Sequence, residues 1–257
     1  MKTKNAAAAI MILFTLVMFT GCYKGWHNID GNNDVQSETR YVGSFEKVFN
    51  EGEFDVYIIQ DGSGDVEIEA ESNLIPFIRT RIEGSALVID TKDNLHNHFP
   101  MKVYVHTEEI DEIRLSGSGL VEAEDLETNN LDIDLSGSGD MMISSSSNDV
   151  QCRISGSGDI DLGLVCNALE LDINGSGELE VYGTAQDGDF NISGSGSIRA
   201  YDLTLQECQA KISGSGSMYV TVEDYLNVNI SGSGDIYYMG DPQIEAKITG
   251  SGEIIHP

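Results

Sequence analysis

Serines recur through the second half of the chain in Ser-Gly-Ser-Gly motifs, and a serine hydroxyl becomes a nucleophile when a neighbouring base activates it. No G-x-S-x-G segment stands at a predicted strand-to-helix turn, and no histidine accompanies the motifs. A glycine-rich phosphate loop would need a following helix and a nearby lysine or arginine, whereas strand-like sequence follows these motifs. The chain is therefore predicted not to be an enzyme.

Acidic residues follow many of the motifs, as oxygen ligands of calcium would. The acids in question are Asp140, Asp159, Glu178, Asp235 and Glu253. Calcium-binding β-rolls repeat every nine or so residues with an Asp at a set offset. Here the spacing is about twice that, and Leu120, Ser197 and Ser217 interrupt the acidic positions. The acids are interpreted as a solvated edge, and neither a metal nor another cofactor is predicted.

The histidines also lack the surroundings of a metal site. His96 and His98 are separated by one residue and would share one face of a strand, but further ligands at suitable spacing are missing nearby. Exposed positions in a loop over residues 93–100 are the favoured interpretation.

Three cysteines lie in the repeated part of the chain: Cys152, Cys166 and Cys208. An odd number cannot all pair within one chain, and the spacings match no zinc pattern. Cys152 and Cys208 fall at positions predicted to face a core, which favours a buried apolar role. A disulfide between two of the three is left open.

The first 22 residues carry the parts of an export signal. Lys2 and Lys4 precede an apolar run over residues 6–19, which is shorter than the roughly 20 residues of a transmembrane helix. The run ends in Phe-Thr-Gly-Cys, which is similar to the lipobox of bacterial lipoproteins, in which the cysteine is acylated. This predicts a signal peptide over 1–21 and a lipid such as palmitate on Cys22, anchoring the protein to a membrane without a spanning helix. An ordinary secretory signal is the alternative.

Composition and charge limit the classes of partner that the protein is expected to bind. Residues 22–41 are rich in Gly, Asn, Asp and Ser without an apolar period, which predicts a lipidated flexible tether. The formal net charge is −29, and removal of residues 1–21, with two lysines and no acid, takes it to −31. Nucleic acid is therefore an unfavourable partner, whereas divalent cations and basic partners stay open. Tyr23 is not the Asp of inner-membrane retention, so the outer membrane is preferred, on its periplasmic or exposed face.

An internal repeat dominates the remaining sequence. Gly-Ser-Gly motifs, called corners below, have their first glycines at Gly117, Gly137, Gly156, Gly175, Gly194, Gly214, Gly232 and Gly250. The steps between them are 18 to 20 residues. Clear repeats span 112–257, and a weaker copy at 61–65 suggests that related coils begin earlier. Regular repeats of this length are typical of solenoids.

The residues on either side of each corner alternate between apolar and polar. Apolar residues stand six, four and two positions before the first glycine, as in Leu169, Leu171 and Ile173, and four and six positions after it, as in Leu179 and Val181. Alternation with period two predicts strands with one buried face. Ser-Gly pairs can also make hairpin turns. Identical motifs with the same apolar positions nevertheless favour coils stacked in parallel, about 40 Å long for eight coils at ~4.8 Å each.

The corner itself is interpreted as structural. Glycine permits positive φ and close approach of backbones, and stacked serines can hydrogen-bond along the ladder. Three positions before each first glycine, the early members of an outward series alternate in sign: Arg114, Asp134, Arg153 and Asp172. Opposite charges on adjacent coils would relieve repulsion between them.

Four tyrosines are the candidate binding platform. Tyr182 and Tyr201 stand seven residues after their first corner glycines, and Tyr219 and Tyr237 stand five residues after theirs, all at outward positions. Two stacked pairs would form an apolar platform for sugar rings or for a protein. A ladder that merely stabilises the sheet is the favoured alternative.

The C-terminal end suggests self-association. After Gly250 no amphipathic helix or polar capping segment is seen up to Pro257. An uncovered solenoid end leaves a strand edge and apolar groups available for pairing. End-to-end or side-by-side homo-oligomers are therefore expected.

Three stretches together carry a family resemblance. These are "FDVYIIQDGSGDVEIEAESNLIPFIRTRIEGSALVID", "MKVYVHTEEIDEIRLSGSG" and the serial "ISGSG" corners. They resemble the head GIN domain of auto-transporter adhesins, found on many bacterial lipoproteins, notably in Bacteroidetes, over residues 42–257. The resemblance implies an all-β fold, a right-handed parallel β-helix (β-solenoid) with coils of about 19 residues. It also implies adhesion at a surface, and no catalytic residues.

Two functions stay open at this point. The first is an envelope lipoprotein acting as an adhesin-like module that binds a glycan or an envelope protein through the solenoid surface. The second is a structural envelope lipoprotein that self-associates and has no such ligand.

Overall fold

The computed structural model describes residues 28–257, and the 21 strands in this range build one continuous fold. The signal peptide and Cys22 lie outside the described residues. A single 3-10 helix spans Ile75–Phe77, and no helix within 28–257 is long and apolar enough to cross a membrane. The strands are β1 Asn28–Asp30, β2 Val35–Tyr41, β3 Lys47–Asn50, β4 Asp55–Gln60, β5 Asp65–Glu71, β6 Ile78–Glu83, β7 Ala86–Thr91, β8 Asn94–His96, β9 Lys102–Thr107, β10 Glu112–Gly117, β11 Leu120–Glu127, β12 Asn130–Gly137, β13 Asp140–Ser146, β14 Asp149–Gly156, β15 Asp159–Gly175, β16 Glu178–Gly194, β17 Ser197–Gly214, β18 Ser217–Gly232, β19 Asp235–Met239, β20 Gln243–Gly250 and β21 Ile254–Ile255.

The strands form a parallel β-solenoid of about eight turns, which confirms the predicted fold class. Strands that lead into the corners stack on one side in the order β7, β3, β10, β12, β14, β15, β16, β17, β18, β20, here called the entry sheet. Strands that leave the corners stack in the order β9, β4, β11, β13, β15, β16, β17, β18, β19, β21, here called the exit sheet. Corner glycines pair in register from coil to coil, so the hairpin alternative is excluded.

The corners stack because only glycine fits both of their glycine positions. At Gly175, for example, φ is +140°, and a Cβ would lie 2.2 Å from the carbonyl oxygen of Gly156 in the preceding coil. A Cβ on the second glycine, Gly177, would lie 2.5 Å from the carbonyl oxygen of Gly158. The corners are therefore the points of closest approach between coils.

The corner hydrogen bonds differ from the expectation. Backbone N–H groups of the middle serines donate to the first glycine of the preceding coil, as from Ser176 to Gly156 O at 2.9 Å. Hydroxyl-to-hydroxyl bonds between corner serines do not occur in the described part of the chain, and the middle serines are exposed. Backbone bonds thus join the stack at this point, and the serine hydroxyls are left facing solvent.

The inward positions fill the solenoid as predicted. The side chains of Leu169, Leu171 and Ile173 are at most 2% exposed. Cys152 and Cys208 are buried, and the three cysteines of the described chain, Cys166 included, are all free thiols. Burial raises the pKa of each thiol, that of Cys166 to about 11, so all three stay protonated and behave as small apolar residues.

The outward charges pair as their alternating signs predict. Arg114 lies 3.5 Å from Asp134, and Arg153 bridges Asp134 and Asp172 at 3.7 and 4.0 Å. These partly exposed pairs each add little stability, but they prevent like charges from facing each other along the sheet.

The early coils follow a different path from the one that the weak 61–65 motif suggests. Residues 61–65 join β4 to the antiparallel β5. The corner of the first coil is instead Gly52, whose carbonyl oxygen lies 2.6 Å from the Cβ that Gly117 would carry. Related coils therefore begin before the clear repeats, but at another glycine.

Three extra strands close the N-terminal end. In the entry sheet β6 pairs antiparallel with β7, and in the exit sheet β5 and then β2 are added antiparallel beyond β9. Between them the chain folds through the 3-10 helix, where Leu74, Ile75 and Ile78 are 0%, 5% and 2% exposed. This end of the core is covered by the chain itself.

The flexible tether predicted for residues 22–41 is wrong from Asn28 onward. β1 pairs with β8, and all seven residues of β2 pair with β5. The guanidinium of Arg40 in β2 donates to the carbonyl oxygens of Ile78 and Ile75 at 2.7 and 3.1 Å. Almost all residues of β2 are exposed, so its sequence lacks the alternation of buried and exposed residues that would predict a strand. The strand is held by pairing at the edge of the sheet rather than by burial of side chains.

Candidate functional site

The candidate site is an aromatic column on the outer face of the exit sheet, formed by Tyr201, Tyr219 and Tyr237. The rings of Tyr219 and Tyr237 stack with centroids 4.9 Å apart and planes 9° from parallel. The ring of Tyr201 meets that of Tyr219 edge-on at 5.3 Å and 73°. Three coils thus present one continuous strip of partly exposed phenol rings.

Strand register places Tyr219 and Tyr237 opposite each other. In the pairing of β18 with β19 they are direct partners, and both lie between inward residues such as Met218 and Val220. In a parallel ladder side chains at paired positions stack one above the other, so two tyrosines in register make a stack without further help.

Tyr201 joins the column through a bulge. β17 and β18 pair Ala200 with Val220 and then Thr204 with Thr221, so residues 201–203 have no partners in β18. The hydroxyl of Thr221 donates to the carbonyl oxygen of Tyr201 at 2.8 Å and holds the bulge against the next coil. A bulge re-aims the side chains that it carries, and here it brings the Tyr201 ring over Tyr219.

Tyr182 is not part of the aromatic column. It is paired with Gly163 in the preceding coil, and its ring lies over that glycine, where a Cβ would come within 2.6 Å of the ring. The ring is 46% exposed and is in contact with no other aromatic side chain of the described residues. The predicted pairing of Tyr182 with Tyr201 is therefore wrong, whereas that of Tyr219 with Tyr237 is found.

The surroundings of the column make it amphipathic. Arg199 lies in the preceding coil, where it is the ladder partner of Tyr219, and it forms an ion pair with Glu178 at 2.8 Å. Burial, and then the neighbouring Tyr219 and Tyr237, raise the pKa of Tyr201, so its phenol is neutral at physiological pH. The strip offers ring faces, phenol hydroxyls and one flanking guanidinium.

A second tyrosine stack lies near the N-terminal end of the same sheet. The rings of Tyr57 in β4 and Tyr104 in β9 are 5.1 Å apart and 19° from parallel. Sequence reasoning missed it, although the segments "DVYIIQ" and "KVYVHT" carry a tyrosine at the same outward position of two strands. Burial raises the pKa of Tyr57.

An acidic surface groove lies along the entry sheet. It has a volume of about 690 Å³ and runs along outward side chains that precede the entry strands. Its charged lining consists of Asp132, Asp149, Glu170, Asp187, Asp189 and Glu207. The groove adds to the negative field that a net charge of −29 already implies, which disfavours anionic partners.

Two of the acids after the corners bind backbone groups of the following coil. Asp159 accepts a hydrogen bond from the N–H of Glu178 at 3.1 Å, and Asp235 accepts one from Glu253 at 2.9 Å. Within residues 28–257 no group of three or more His, Cys, Asp or Glu side chains is arranged to hold a metal ion. Asp159 and Asp235 thus contribute to the stacking of the coils.

His96 and His98 are both exposed, as predicted, although Asn94–His96 forms the strand β8 rather than part of a loop. His96 is exposed and lies 3.3 Å from Asp30, whereas His98 contacts Glu71, a fully buried carboxylate, at 3.0 Å. Nothing in the local sequence marks this contact, because Glu71 and His98 are 27 residues apart.

Comparison with known protein families identifies one family. The family model described as "Putative auto-transporter adhesin, head GIN domain" matches residues 44–163 and 142–242. No curated protein sequence matches the chain.

Solved structures extend the match to almost the whole fold. A "putative lipid binding protein" from Parabacteroides distasonis is 27% identical, with a TM-score of 0.84, covering 90% of this chain and all of that one. A "putative adhesin" from Parabacteroides merdae is 25% identical, with a TM-score of 0.85, covering 89% and 99%. A "putative adhesin" from Bacteroides fragilis, at 24% identity and a TM-score of 0.67, shares the fold. None of these descriptions is that of an enzyme.

Proposed function

Because this chain belongs to the head GIN domain family of auto-transporter adhesins, we propose that it is an adhesin-like binding module of the bacterial cell envelope that recognises glycans through the aromatic column. The observation that carries this proposal is the run of three contacting rings, Tyr201, Tyr219 and Tyr237, on the outer face of a sheet. Ring faces of this kind stack on the apolar faces of sugars, and phenol hydroxyls bond to their polar edges.

The bulge in β17 favours a binding role over a purely structural one. The stack of Tyr219 on Tyr237 needs only strand register. The Tyr201 ring is added by a bulge in which residues 201–203 have no partners in β18, and this interruption lowers the regularity of the sheet. Bulges are over-represented at functional sites, where they re-aim a side chain.

The charge of the molecule limits the ligand. A formal net charge of −29 repels polyanions such as sulfated or phosphorylated glycans. Neutral or amino sugars fit the column better than anionic sugars do. Arg199 at the edge of the column can donate hydrogen bonds to sugar hydroxyls.

The related "putative lipid binding protein" suggests another ligand class, but the interior of this solenoid has no room for a lipid chain. Inward side chains such as Ile133, Leu171 and Ile212 are at most 1% exposed and pack against one another. A lipid could be contacted only from outside.

The anchor is proposed to be a lipid on Cys22. Five residues lie between Cys22 and Asn28, where β1 begins, and the six residue steps can span at most about 20 Å. The covered N-terminal end of the solenoid would then lie next to the outer membrane. The aromatic column, which lies in the last coils, would project away from it.

The test is a glycan screen with residues 28–257, which contain all the described strands. We expect a neutral or amino-sugar ligand whose affinity falls on the order of 100-fold in the Tyr201→Ser/Tyr219→Ser/Tyr237→Ser variant, since each ring contributes about 1 kcal/mol. Tyr182→Ser is the matched control, because Tyr182 is exposed but outside the column, and it should bind normally. Equal binding by the triple variant, with an unchanged circular dichroism spectrum, would contradict the proposal.

A further inference from the structure

The last coil exposes residues that every earlier coil buries. In β18 the inward residues Leu226, Val228 and Ile230 are 0%, 1% and 0% exposed. The residues paired with them in β20 are Ile244, Ala246 and Ile248, and Ile244 and Ile248 are 37% and 43% exposed. All eight residues of β20 are classed as exposed. The inward apolar side chains of the entry sheet are thus exposed to solvent at this end.

The backbone of β20 also forms strand hydrogen bonds along only one of its two edges. It pairs with β18 along one edge, and no described residue pairs with its other edge. In a parallel ladder alternate residues direct both their N–H and their C=O groups to the same neighbour, so the remaining residues of β20 point these groups away from the fold. β20 thus combines apolar inward residues with a free backbone edge, and a free edge is a template for another strand.

The sequence of β20 is complementary to itself when two copies run antiparallel. With Ala246 facing Ala246 of a second copy, Ile244 lies opposite Ile248, and Glu245 lies opposite Lys247. The two inward isoleucines of each copy then meet apolar partners, and two Glu–Lys pairs form on the outward side. Opposite charges directly across a strand pair stabilise it, and like charges destabilise it.

Glu245 is already held on the outward side of the sheet. The hydroxyl of Tyr225, which is paired with Gln243 one coil back, donates to the Glu245 carboxylate at 2.8 Å. Lys247 follows two residues later in the same outward row and has no ion-pair partner among the described residues. Its charge is therefore available to a carboxylate across the free edge.

Among residues 28–257, the N-terminal end offers no equivalent surface. Its outermost strands are β2, which is exposed and polar, and β6, where Arg79 and Arg81 bind Asp90. Charged side chains on an edge strand oppose the addition of another strand. A head-to-tail fibre would have to pair β20 with one of these edges, whereas a tail-to-tail pair joins two identical apolar edges and closes.

We propose that this solenoid forms a twofold symmetric dimer in which β20 pairs antiparallel with β20 of a second copy, centred on Ala246. The entry sheet then continues from one copy into the other. Each copy covers the exposed Ile244 and Ile248 of its partner, and the two covered N-terminal ends lie at the far ends of the dimer.

Cysteine cross-linking of the full chain tests this register. Facing residues of an antiparallel pair have Cα atoms about 4.5–5.5 Å apart, within disulfide range, so Ala246→Cys should give a reducible dimer as the main product. Ile244→Cys alone should not, because the two copies of residue 244 are about 14 Å apart in this register. The double variant Ile244→Cys/Ile248→Cys should cross-link again. The unsubstituted chain gives the background from Cys22.

Charge reversal tests the same register without cross-linking. Sedimentation equilibrium of Lys247→Glu should show a dimer weakened about tenfold, since two Glu–Glu pairs then face each other. Glu245→Lys/Lys247→Glu should restore the dimer, because both opposite-charge pairs return. Circular dichroism checks that each variant is folded.

Three results would overturn the proposal. The first is a folded Ala246→Cys chain that stays monomeric or cross-links only to another protein. The second is cross-linking of Ile244→Cys as strong as that of Ala246→Cys. The third is a charge-swapped double variant that dimerises no better than Lys247→Glu.

Discussion

The two ends of the solenoid differ in whether the inward side chains of the end coil are covered. Each interior coil is covered by a coil on either side, but an end coil has one neighbour, and its inward side chains face solvent unless something else covers them. At the N-terminal end the chain itself supplies the cover, and Leu74 and Ile78 are 0% and 2% exposed. At the C-terminal end Ile248 stays 43% exposed. The repeat sequence alone therefore does not determine whether an end coil is covered or exposed.

The covered end is also where the fold departs from its repeat. β5 and β6 run antiparallel to their neighbours, and the first coil, β3 and β4, lies between the coil of β7 and β9 and the coil of β10 and β11. The chain therefore builds one coil, adds the cover and a second coil on one side, and then continues the stack on the other side. The end with long-range contacts is stabilised by them, whereas the other end depends on local stacking.

A buried carboxylate joins the parts of the covered end. Glu71, whose side chain is fully buried, accepts hydrogen bonds from the N–H groups of Asn33 and His98 at 2.6 and 2.7 Å, and the His98 ring lies 3.0 Å from it. Gly31 packs against this carboxylate so closely that a Cβ would overlap it. One side chain of β5 thus binds both the segment after β1 and the loop after β8.

The largest effect is expected from removing a core residue of the covered end. Leu74→Ala should lower the free energy of unfolding by about 2–5 kcal/mol, because it leaves a cavity beside the 3-10 helix. The measurement is urea unfolding of residues 28–257, with hydrogen exchange to locate the loss. Exchange should accelerate in β5, β6 and β9 and stay slow in β16 and β17, since coils interact only with their neighbours. Uniform acceleration through all coils would show that the covered end is not a local unit.

The next effect is expected from Glu71→Gln, with a defined pH dependence. Burial acts to raise the pKa of Glu71, but the backbone and His98 hydrogen bonds outweigh it and hold the pKa below the ordinary value of 4.5. A carboxyl with a lowered pKa stabilises the fold fully above its ordinary pKa, and this contribution is lost as the pH falls through the lowered pKa. The variant should therefore be less stable than the wild type at neutral pH, and the difference should shrink below about pH 4.5.

Urea unfolding between pH 3 and pH 7 checks this dependence. Glu223→Gln, which changes an exposed carboxylate of β18, is the control and should follow the wild type throughout. A difference between Glu71→Gln and wild type that stays constant with pH would mean that the charge of Glu71 is not what stabilises the covered end.

The repetitive part of the fold was predictable because its signals are local and repeated. Eight corners in register and the inward apolar positions predict the strands, their parallel stacking and the burial of Cys152 and Cys208. Tyr219 and Tyr237 follow from the same reasoning, because both stand five residues after a corner glycine.

The irregular parts were not predictable by that reasoning. Tyr201 was expected beside Tyr182, but a three-residue bulge after Ala200 moves it to Tyr219. The strand β2 has no buried face, so its composition resembles that of a linker. The contact of Glu71 with His98 joins distant segments, and no period in the sequence records it. Each miss depends on a contact outside the repeat.

The smallest effect on monomer stability is expected at the open end, and it separates the two ends most sharply. Ile248→Ser should change the free energy of unfolding of a dilute sample by less than about 1 kcal/mol, because this side chain is already 43% exposed. Ile230→Ser, one coil earlier in the same column and 0% exposed, is the matched control and should cost at least about 2 kcal/mol. The wild-type Tm should rise with protein concentration, since dimerisation stabilises only the folded chain. Ile248→Ser should lose that rise while keeping the wild-type Tm of the dilute sample. A concentration-independent Tm in the wild type would mean that the open end is stable uncovered, and that the difference between the two ends is one of sequence rather than of assembly.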